Sequence, residues 1–422
     1  MKTRAVRIHG KHDLRLDEFE LPGMGDDEIL ARMVADSTCT SSYKAALQGP
    51  EHKRVPANVA EHPTILGHEM SGEILEVGEK WKHHFKPGQK FSVQPALNYK
   101  GTLDAPGYSF EYFGGEAETC IIPGPVMEMD CLLPYDGPGY FLASLAEPVS
   151  CVVGTFRAMY HVPAGTHTHV MGTRAGGAMA ILAGSGPMGL AAIDYAVHMD
   201  AEHRPGLIVV TGRTQEKLDR AARIYSPQEA EERGVRLVYV NSRSTPDIVS
   251  ELRSLNDGEG YDDVLVFAPV AALVEQADAL LARDGCLNFF AGPADKDFTA
   301  RLNFFNVHYA FTHLVATSGG NADDMKESLR LINDGILNPA GMITHIGGLN
   351  VAAETTLHLP ELPGGKKLFY TELDMPLVAI DDFAEKGKTD PLFRQLAEIT
   401  SEHRGLWSPE AEAYLLEHAP RA

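Results

Sequence analysis

Cys39, His68, Glu69 and Glu147 are the residues of this chain whose types suit a metal ion. Cys39 lies within Asp36-Ser37-Thr38-Cys39-Thr40-Ser41, His68 and Glu69 follow Gly67, and Glu147 stands between Ala146 and Pro148. One thiolate, one imidazole and one or two carboxylates make an incomplete tetrahedral shell for Zn²⁺, with a position left for water or substrate. A lone cysteine is more commonly a small buried hydrophobe, and a His-Glu pair is more commonly structural, so spacing alone leaves both readings open. The second place suited to chemistry is Gly184-Ser185-Gly186-Pro187-Met188-Gly189, with an apolar run on either side. A strand, a glycine turn and a helix written this way let the backbone approach a pyrophosphate, which rests on the helix start. An ordinary strand–helix turn would read the same. The glycines, Pro187 and Asp194 argue against a membrane span.

The elements that must position these residues differ along the chain. Residues 4–8 and 14–19 alternate around Gly10-Lys11-His12-Asp13, which predicts a β-hairpin, and Glu28–Val34 reads as a further strand. Turn signals such as Pro87-Gly88, Pro106-Gly107 and Gly114-Gly115 continue to about residue 140, so residues 1–154 form a β-rich domain with irregular loops. Strands are then expected at Leu207–Thr211, Val235–Val240, Val264–Phe267 and Cys286–Phe290. Helices Gln215–Ile224, Asp247–Leu255 and Leu273–Leu281 fall between them. Such alternation builds a parallel sheet covered on both faces, giving an α/β nucleotide-type domain over residues 155–305. Residues 306–380, with strand-like Met342–Ile346 and Leu368–Tyr370, read as a return to the first lobe. Residues 381–422 form a helical tail, in which Ser408-Pro409 has the character of an N-cap followed by a first-turn proline.

The 422 residues carry a net charge of −21, which disfavours a polyanion such as DNA but not a small anion in a local basic pocket. The N-terminus lacks the apolar core of a signal peptide and no segment reads as membrane-spanning. The five cysteines form neither C-x-x-C pairs nor a disulfide framework, as expected of a soluble cytoplasmic protein with reduced thiols.

Taken in order, Cys39, Gly67-His68-Glu69-Met70-Ser71-Gly72, Lys86-Pro87-Gly88-Gln89-Lys90-Phe91, Glu147-Pro148 and the glycine turn resemble the zinc-dependent medium-chain dehydrogenase/reductase family. Glu147 in place of a cysteine resembles its sorbitol dehydrogenase branch. The stretches His169–Gly172, Cys286–Pro293, Val307–His313, Thr317–Asn321 and Trp407–Leu416 are similar to the L-sorbose 1-phosphate reductase subfamily. The resemblance implies a GroES-like catalytic domain joined to a Rossmann domain, and a homo-oligomer, dimer or tetramer. It also implies reduction of L-sorbose 1-phosphate to D-glucitol 6-phosphate with a nicotinamide cofactor. A polyol or polyol-phosphate dehydrogenase working in the oxidative direction is the alternative. A zinc-free reductase and a non-catalytic scaffold are set against by Cys39, His68 and Glu147 together. No cysteine lies between Gln94 and Thr119, so the second, structural zinc of many family members is not expected.

The implied metal set is Cys39, His68, Glu69 and Glu147, with the two glutamates sharing one role. Zinc would polarise the substrate carbonyl as hydride arrives. Ser41 would pass the proton, with water or Lys44 beyond it, since Lys44 stands where the family often has a histidine. Gly184, Gly186, Pro187, Met188 and Gly189 would cradle the cofactor diphosphate, assisted by Lys367 or Lys366. Cofactor choice is read at Thr211-Gly212-Arg213-Thr214, where Gly212 replaces the acidic residue of NAD sites and Arg213 can pair with a 2′-phosphate; NADPH is expected. For the substrate phosphate the candidate cations are Lys44, Lys100, Arg174, Arg301, His308 and His313, with Lys44 preferred for its place beside Cys39. His83-His84 and His167-x-His169 read as surface histidines.

Overall fold

Ile29–Ser37 is the strand on which the first half of the molecule is assembled. Buried alanine, methionine and valine side chains along it make it a core strand, and its C-terminal end delivers the chain to Cys39. In the computed structural model, which describes residues 1–421, this strand pairs antiparallel with Met70–Val77 along one edge. Its other edge takes Thr119–Ile122 near the start and Lys366–Tyr370 near the end. The full eight-stranded sheet adds Lys90–Val93, Leu132–Pro134, Ile343–Gly348 and Val378–Ala379. The expected hairpin forms, Lys2–Gly10 pairing with Asp13–Glu20 around the Gly10–Asp13 turn. Ala31, Met33, Ile65, Met70, Phe91 and Phe113 are fully buried in the core of this lobe. Two short helices interrupt the β texture, Thr40–Gln48 directly after Cys39 and Gly124–Glu128.

The chain divides into one unit of residues 1–148 and 321–422 and a second of residues 149–320. Both boundaries differ from expectation. The second unit runs past 305 because His313–Ala316 joins its sheet in parallel with Leu281–Phe289. The tail is no separate domain. Trp407 Nε1 donates to the Tyr370 hydroxyl at 2.7 Å, which donates to Glu412 at 2.8 Å. Glu412 also accepts the Phe141 N–H at 2.8 Å and the Tyr140 N–H, so a tail carboxylate satisfies the otherwise unpaired start of the helix Tyr140–Ala158. Ser408 caps Pro409–His418 by accepting the Ala411 N–H, with Pro409 in the first turn as expected.

The second unit is a six-stranded parallel sheet: β1 (Ala178–Leu182), β2 (Leu207–Gly212), β3 (Arg236–Asn241), β4 (Tyr261–Val266), β5 (Leu281–Phe289) and β6 (His313–Ala316). Its spatial order, 3-2-1-4-5-6, is that of doubly wound nucleotide-binding sheets. The segment before β1 includes a short antiparallel pair, Tyr160–His161 with Val170–Met171. Among the described residues no helix is long and apolar enough to cross a membrane.

Burial pushes the Glu412 carboxyl from 4.5 up to about 7, against hydrogen bonds from Tyr370, Phe141 and Tyr140 that favour its charged form. The folded state therefore holds a proton that the unfolded chain has released, and this residue's contribution to stability falls as pH rises from about 4.5 to about 7. Glu412→Gln carries no such proton. Urea melts at about pH 5 and about pH 8 should show wild type losing stability relative to Glu412→Gln; parallel profiles would contradict this linkage.

Candidate active site

Cys39 is the residue that caps Thr40–Gln48, in extended conformation (φ −124°, ψ 151°), so its sulfur sits where a strand turns into a helix. Its Sγ lies 3.6 Å from the Ser41 hydroxyl. Burial, and then the charge of Glu69, raise the thiol above its ordinary value of 9.0. A bound cation reverses that preference by stabilising the thiolate.

His68 and Glu69 enter through Gly67, whose φ of +98° and close approach to the Glu116 backbone exclude a side chain. The His68 ring packs at 4.9 Å on Tyr108, and Nδ1 lies 3.0 Å from the Tyr108 hydroxyl and 3.2 Å from Ser42 Oγ. Burial depresses the imidazole's pKa, favouring the neutral form that a metal requires. Glu69 is buried, with Lys366 Nζ 2.5 Å from each carboxylate oxygen and the Ser37 hydroxyl donating to one of them. Burial lowers the Lys366 pKa, but Glu69, Cys39 and Glu147 more than offset it and the ammonium stays charged.

Glu147 is carried by Tyr140–Ala158, and three buried serines fasten that helix to the site. Ser71 donates to the Tyr140 carbonyl at 2.7 Å, Ser92 to Ala143 at 2.7 Å, and Ser144 to the Glu69 carbonyl at 2.6 Å. The Glu147 carboxyl is pushed up to about 7 by burial, with Glu69 and Cys39 adding to the rise and His68 and Lys366 opposing it. All four expected ligands thus share one electrostatic neighbourhood. One ligand atom each from Cys39, His68 and Glu69 lie within 4.8 Å of one another. A thiolate, a neutral imidazole and buried carboxylates fit Zn²⁺. Ser41 and Lys44 follow on the first turns of Thr40–Gln48, both partly exposed.

The nucleotide-site residues gather in the second unit. Gly184 N–H donates to the Thr211 carbonyl at 2.8 Å, and Ala183 N–H to the Thr211 hydroxyl at 3.1 Å, tying the turn after β1 to the end of β2. Gly186 precedes the helix Pro187–His198, in which Met188 occupies the first turn. A Cβ at Gly189 would meet the Gly184 carbonyl at 2.2 Å, so a glycine is required there. Gly212 is buried against Ser185, whereas Arg213 and Thr214 are exposed just beyond it. Lys367 belongs to the first unit, where it is buried and its Nζ donates to the carbonyls of Pro363 and Gly365.

Several candidate phosphate cations are already used. Arg174 bridges Asp262 and Asp284, His313 contacts Asp284 and Arg301 pairs with Glu275. His308 packs edge-on against Tyr309 and exposed Lys100 lies over Tyr99. His83, His84, His167 and His169 are on the surface as expected. Tyr108, Ser37, Ser42 and Lys366 went unrecognised in the sequence as partners of the ligands. The only available signal for Lys366 was the glycine pair before it.

A GroES-like lobe bearing a Cys/His/Glu cluster, with a doubly wound nucleotide sheet, defines a zinc-dependent oxidoreductase acting on CH–OH groups with NAD(P). Residues 25–170 match the alcohol dehydrogenase GroES-like domain and residues 187–334 the zinc-binding dehydrogenase family. The chain belongs to the zinc-dependent medium-chain dehydrogenase/reductase family, in its sorbitol dehydrogenase branch. It is 51% identical to L-sorbose 1-phosphate reductase of Klebsiella pneumoniae over 99% of this chain and 98% of that one. It is 49% identical to mannitol-1-phosphate 5-dehydrogenase of Aliivibrio fischeri, again over 99% and 98% of the two chains. In fold it is similar to 2R,3R-butanediol dehydrogenase from Bacillus subtilis (TM-score 0.70, 20% identity, covering 87% and 99% of the two chains).

Replacing Lys366 by Met would leave Glu69 buried without its counter-charge, a loss of about 3–5 kcal/mol for the metal-free protein. A divalent cation among the ligands restores that charge. The difference in thermal midpoint between wild type and Lys366→Met should therefore narrow when zinc is added; an unchanged difference would contradict the pairing.

Proposed function

We propose that this protein reduces a ketose phosphate with NADPH, L-sorbose 1-phosphate to D-glucitol 6-phosphate, at a single catalytic zinc and with no structural zinc. The observation that carries the proposal is the Cys39–His68–Glu69 cluster with Glu147 beside it, in a chain half identical along its whole length to a reductase of that name. Bound zinc supplies a Lewis acid and NADPH a hydride. Cys39 and His68 would hold the ion together with Glu69 or Glu147, and Lys366 is the counter-charge of Glu69. Ser41, next to the Cys39 sulfur, moves the proton, with Lys44 or water beyond it. The five free cysteines are consistent with a cytoplasmic setting, and the working form is a homo-oligomer.

Gly184, Gly186, Pro187, Met188 and Gly189 hold the diphosphate, and Thr211, Gly212, Arg213 and Thr214 face the adenosine ribose. Support for NADPH comes from the missing carboxylate at Gly212 and from exposed Arg213, which makes no ion pair among the described residues. Ser242 N–H donates to the Gly212 carbonyl at 2.9 Å, which brings a second exposed arginine, Arg243, to the same end of the sheet. Arg213→Ala should raise the KM for NADPH by roughly tenfold, about 1.4 kcal/mol, and leave NADH unchanged. Equal use of the two cofactors by the wild type would refute the assignment.

The near-equal identity to a mannitol-1-phosphate 5-dehydrogenase favours a second reading, oxidation of a polyol phosphate. The deciding experiment measures NADPH oxidation with L-sorbose 1-phosphate, sorbose and fructose 6-phosphate, beside NADP⁺ reduction with the hexitol phosphates. Sorbose 1-phosphate should give the highest kcat/KM. A clear preference for free sugars or for hexitol phosphate oxidation would overturn the first reading.

A further inference from the structure

Resting on the reading above that the substrate is a ketose phosphate, we propose that Arg54 is the residue that binds the substrate's phosphate. A chain of net charge −21 repels a dianion overall, so a phosphate site needs a cation that is not already neutralised. In the first unit Arg4 is paired with Glu118 and Asp374, Arg7 with Asp17 and Glu111, and Arg32 with Glu73 and Glu372. Lys366 is spent on Glu69. Arg54 differs: among the described residues it has no carboxylate partner, and its guanidinium makes one hydrogen bond, Nη1 to the Leu103 carbonyl at 3.3 Å. Most of its planar fork of donors remains available, the geometry that recognises phosphate by two parallel hydrogen bonds.

Its position is what connects it to the site. The guanidinium carbon lies 5.9 Å from the centroid of the Tyr108 ring, and the hydroxyl of that ring is 3.0 Å from Nδ1 of the expected ligand His68. The same ring stacks on His52 at 5.7 Å, so Tyr108 stands between His68 and a patch formed by His52 and Arg54. The local backbone is anchored: Ser109 Oγ donates to the Arg54 carbonyl at 2.6 Å, and the Arg54 N–H donates to His52 Nδ1 at 3.3 Å. The patch is electropositive. Burial, followed by the charges of Arg54, Lys53 and Lys44, pushes His52 down to about 4, leaving a neutral ring in a field of cations. Lys44, preferred on sequence grounds, thus belongs to the same field, but the half-buried, unpaired fork is on Arg54. In a ketose 1-phosphate the ester is carried by the carbon next to the carbonyl. A phosphate fixed at Arg54 would therefore hold the carbonyl toward the Cys39 and His68 side of Tyr108.

The test compares kcat/KM for sorbose 1-phosphate and free sorbose in wild type, Arg54→Met and Arg54→Lys, with inorganic phosphate as competitive probe. In Arg54→Met the KM for the phosphorylated substrate should rise by about tenfold or more, the loss expected for one charged hydrogen-bonding group. The values of kcat, of kcat/KM for sorbose and of zinc content should stay near wild type, and inhibition by inorganic phosphate should weaken in parallel. Arg54→Lys, which keeps the charge and loses the fork, should fall between the two. It also keeps the test decisive if Arg54→Met folds poorly. Unchanged selectivity for the phosphorylated substrate in these variants, or an equal loss toward both substrates, would overturn the role of Arg54. A wild type that does not distinguish sorbose 1-phosphate from sorbose would instead overturn the phosphate-substrate reading itself.

Discussion

The ion pair between Glu69 and Lys366 joins three parts of the first lobe that are far apart in sequence. An isolated carboxylate taken out of water costs several kcal/mol, and it persists only where an opposite charge and further donors meet it. Here Lys366 contacts both oxygens and the Ser37 hydroxyl adds a donor. Ser37 ends the central strand that delivers Cys39, Glu69 follows His68, and Lys366 opens the returning strand Lys366–Tyr370. One interaction therefore links the segments that carry Cys39 and His68, and it can form only after the chain has come back from the nucleotide unit.

Other buried acids lie in the same lobe. Burial raises the Asp36 carboxyl, with Glu116 and Glu69 adding to the effect, and burial pushes Glu116 up to about 8. Glu147 and Glu412 are each pushed to about 7. In their neutral forms these groups cost far less to bury, so Asp36 and Glu147 compete little with Glu69 for Lys366. The lobe can thus be rich in acidic residues and still avoid accumulating negative charge next to the Cys39 thiol and the His68 imidazole.

The helix that carries Glu147 is held from two directions by different physics. Serine–carbonyl hydrogen bonds fasten its side to the first lobe, while the Glu412 carboxyl accepts from its first N–H groups. The tail thereby belongs to the construction of the site. Its last helix closes a path from Trp407 through Tyr370 to Glu412 and so to the element bearing Glu147.

Local chemistry made much of this legible in the sequence. A glycine turn between apolar runs needs no partner to be read, because steric tolerance at Gly189 and the helix start beside it are properties of neighbouring residues. The first hairpin, the alternation of strands and helices and the Ser408-Pro409 cap were legible for the same reason. Cys39, His68, Glu69 and Glu147 were identifiable by type and order. The end of the nucleotide unit was not, because His313–Ala316 is an edge strand whose alternating exposure resembles a surface segment. Nor were Lys366, Tyr108, Arg54 and Glu412 legible, since a lysine or glutamate at a given position has the same local signature whether it is solvated or paired. Only the tertiary structure brings Lys366 across 297 residues to Glu69 and Glu412 across 271 to Phe141, and it is this long-range closure that decides which charges are buried and which remain for a ligand.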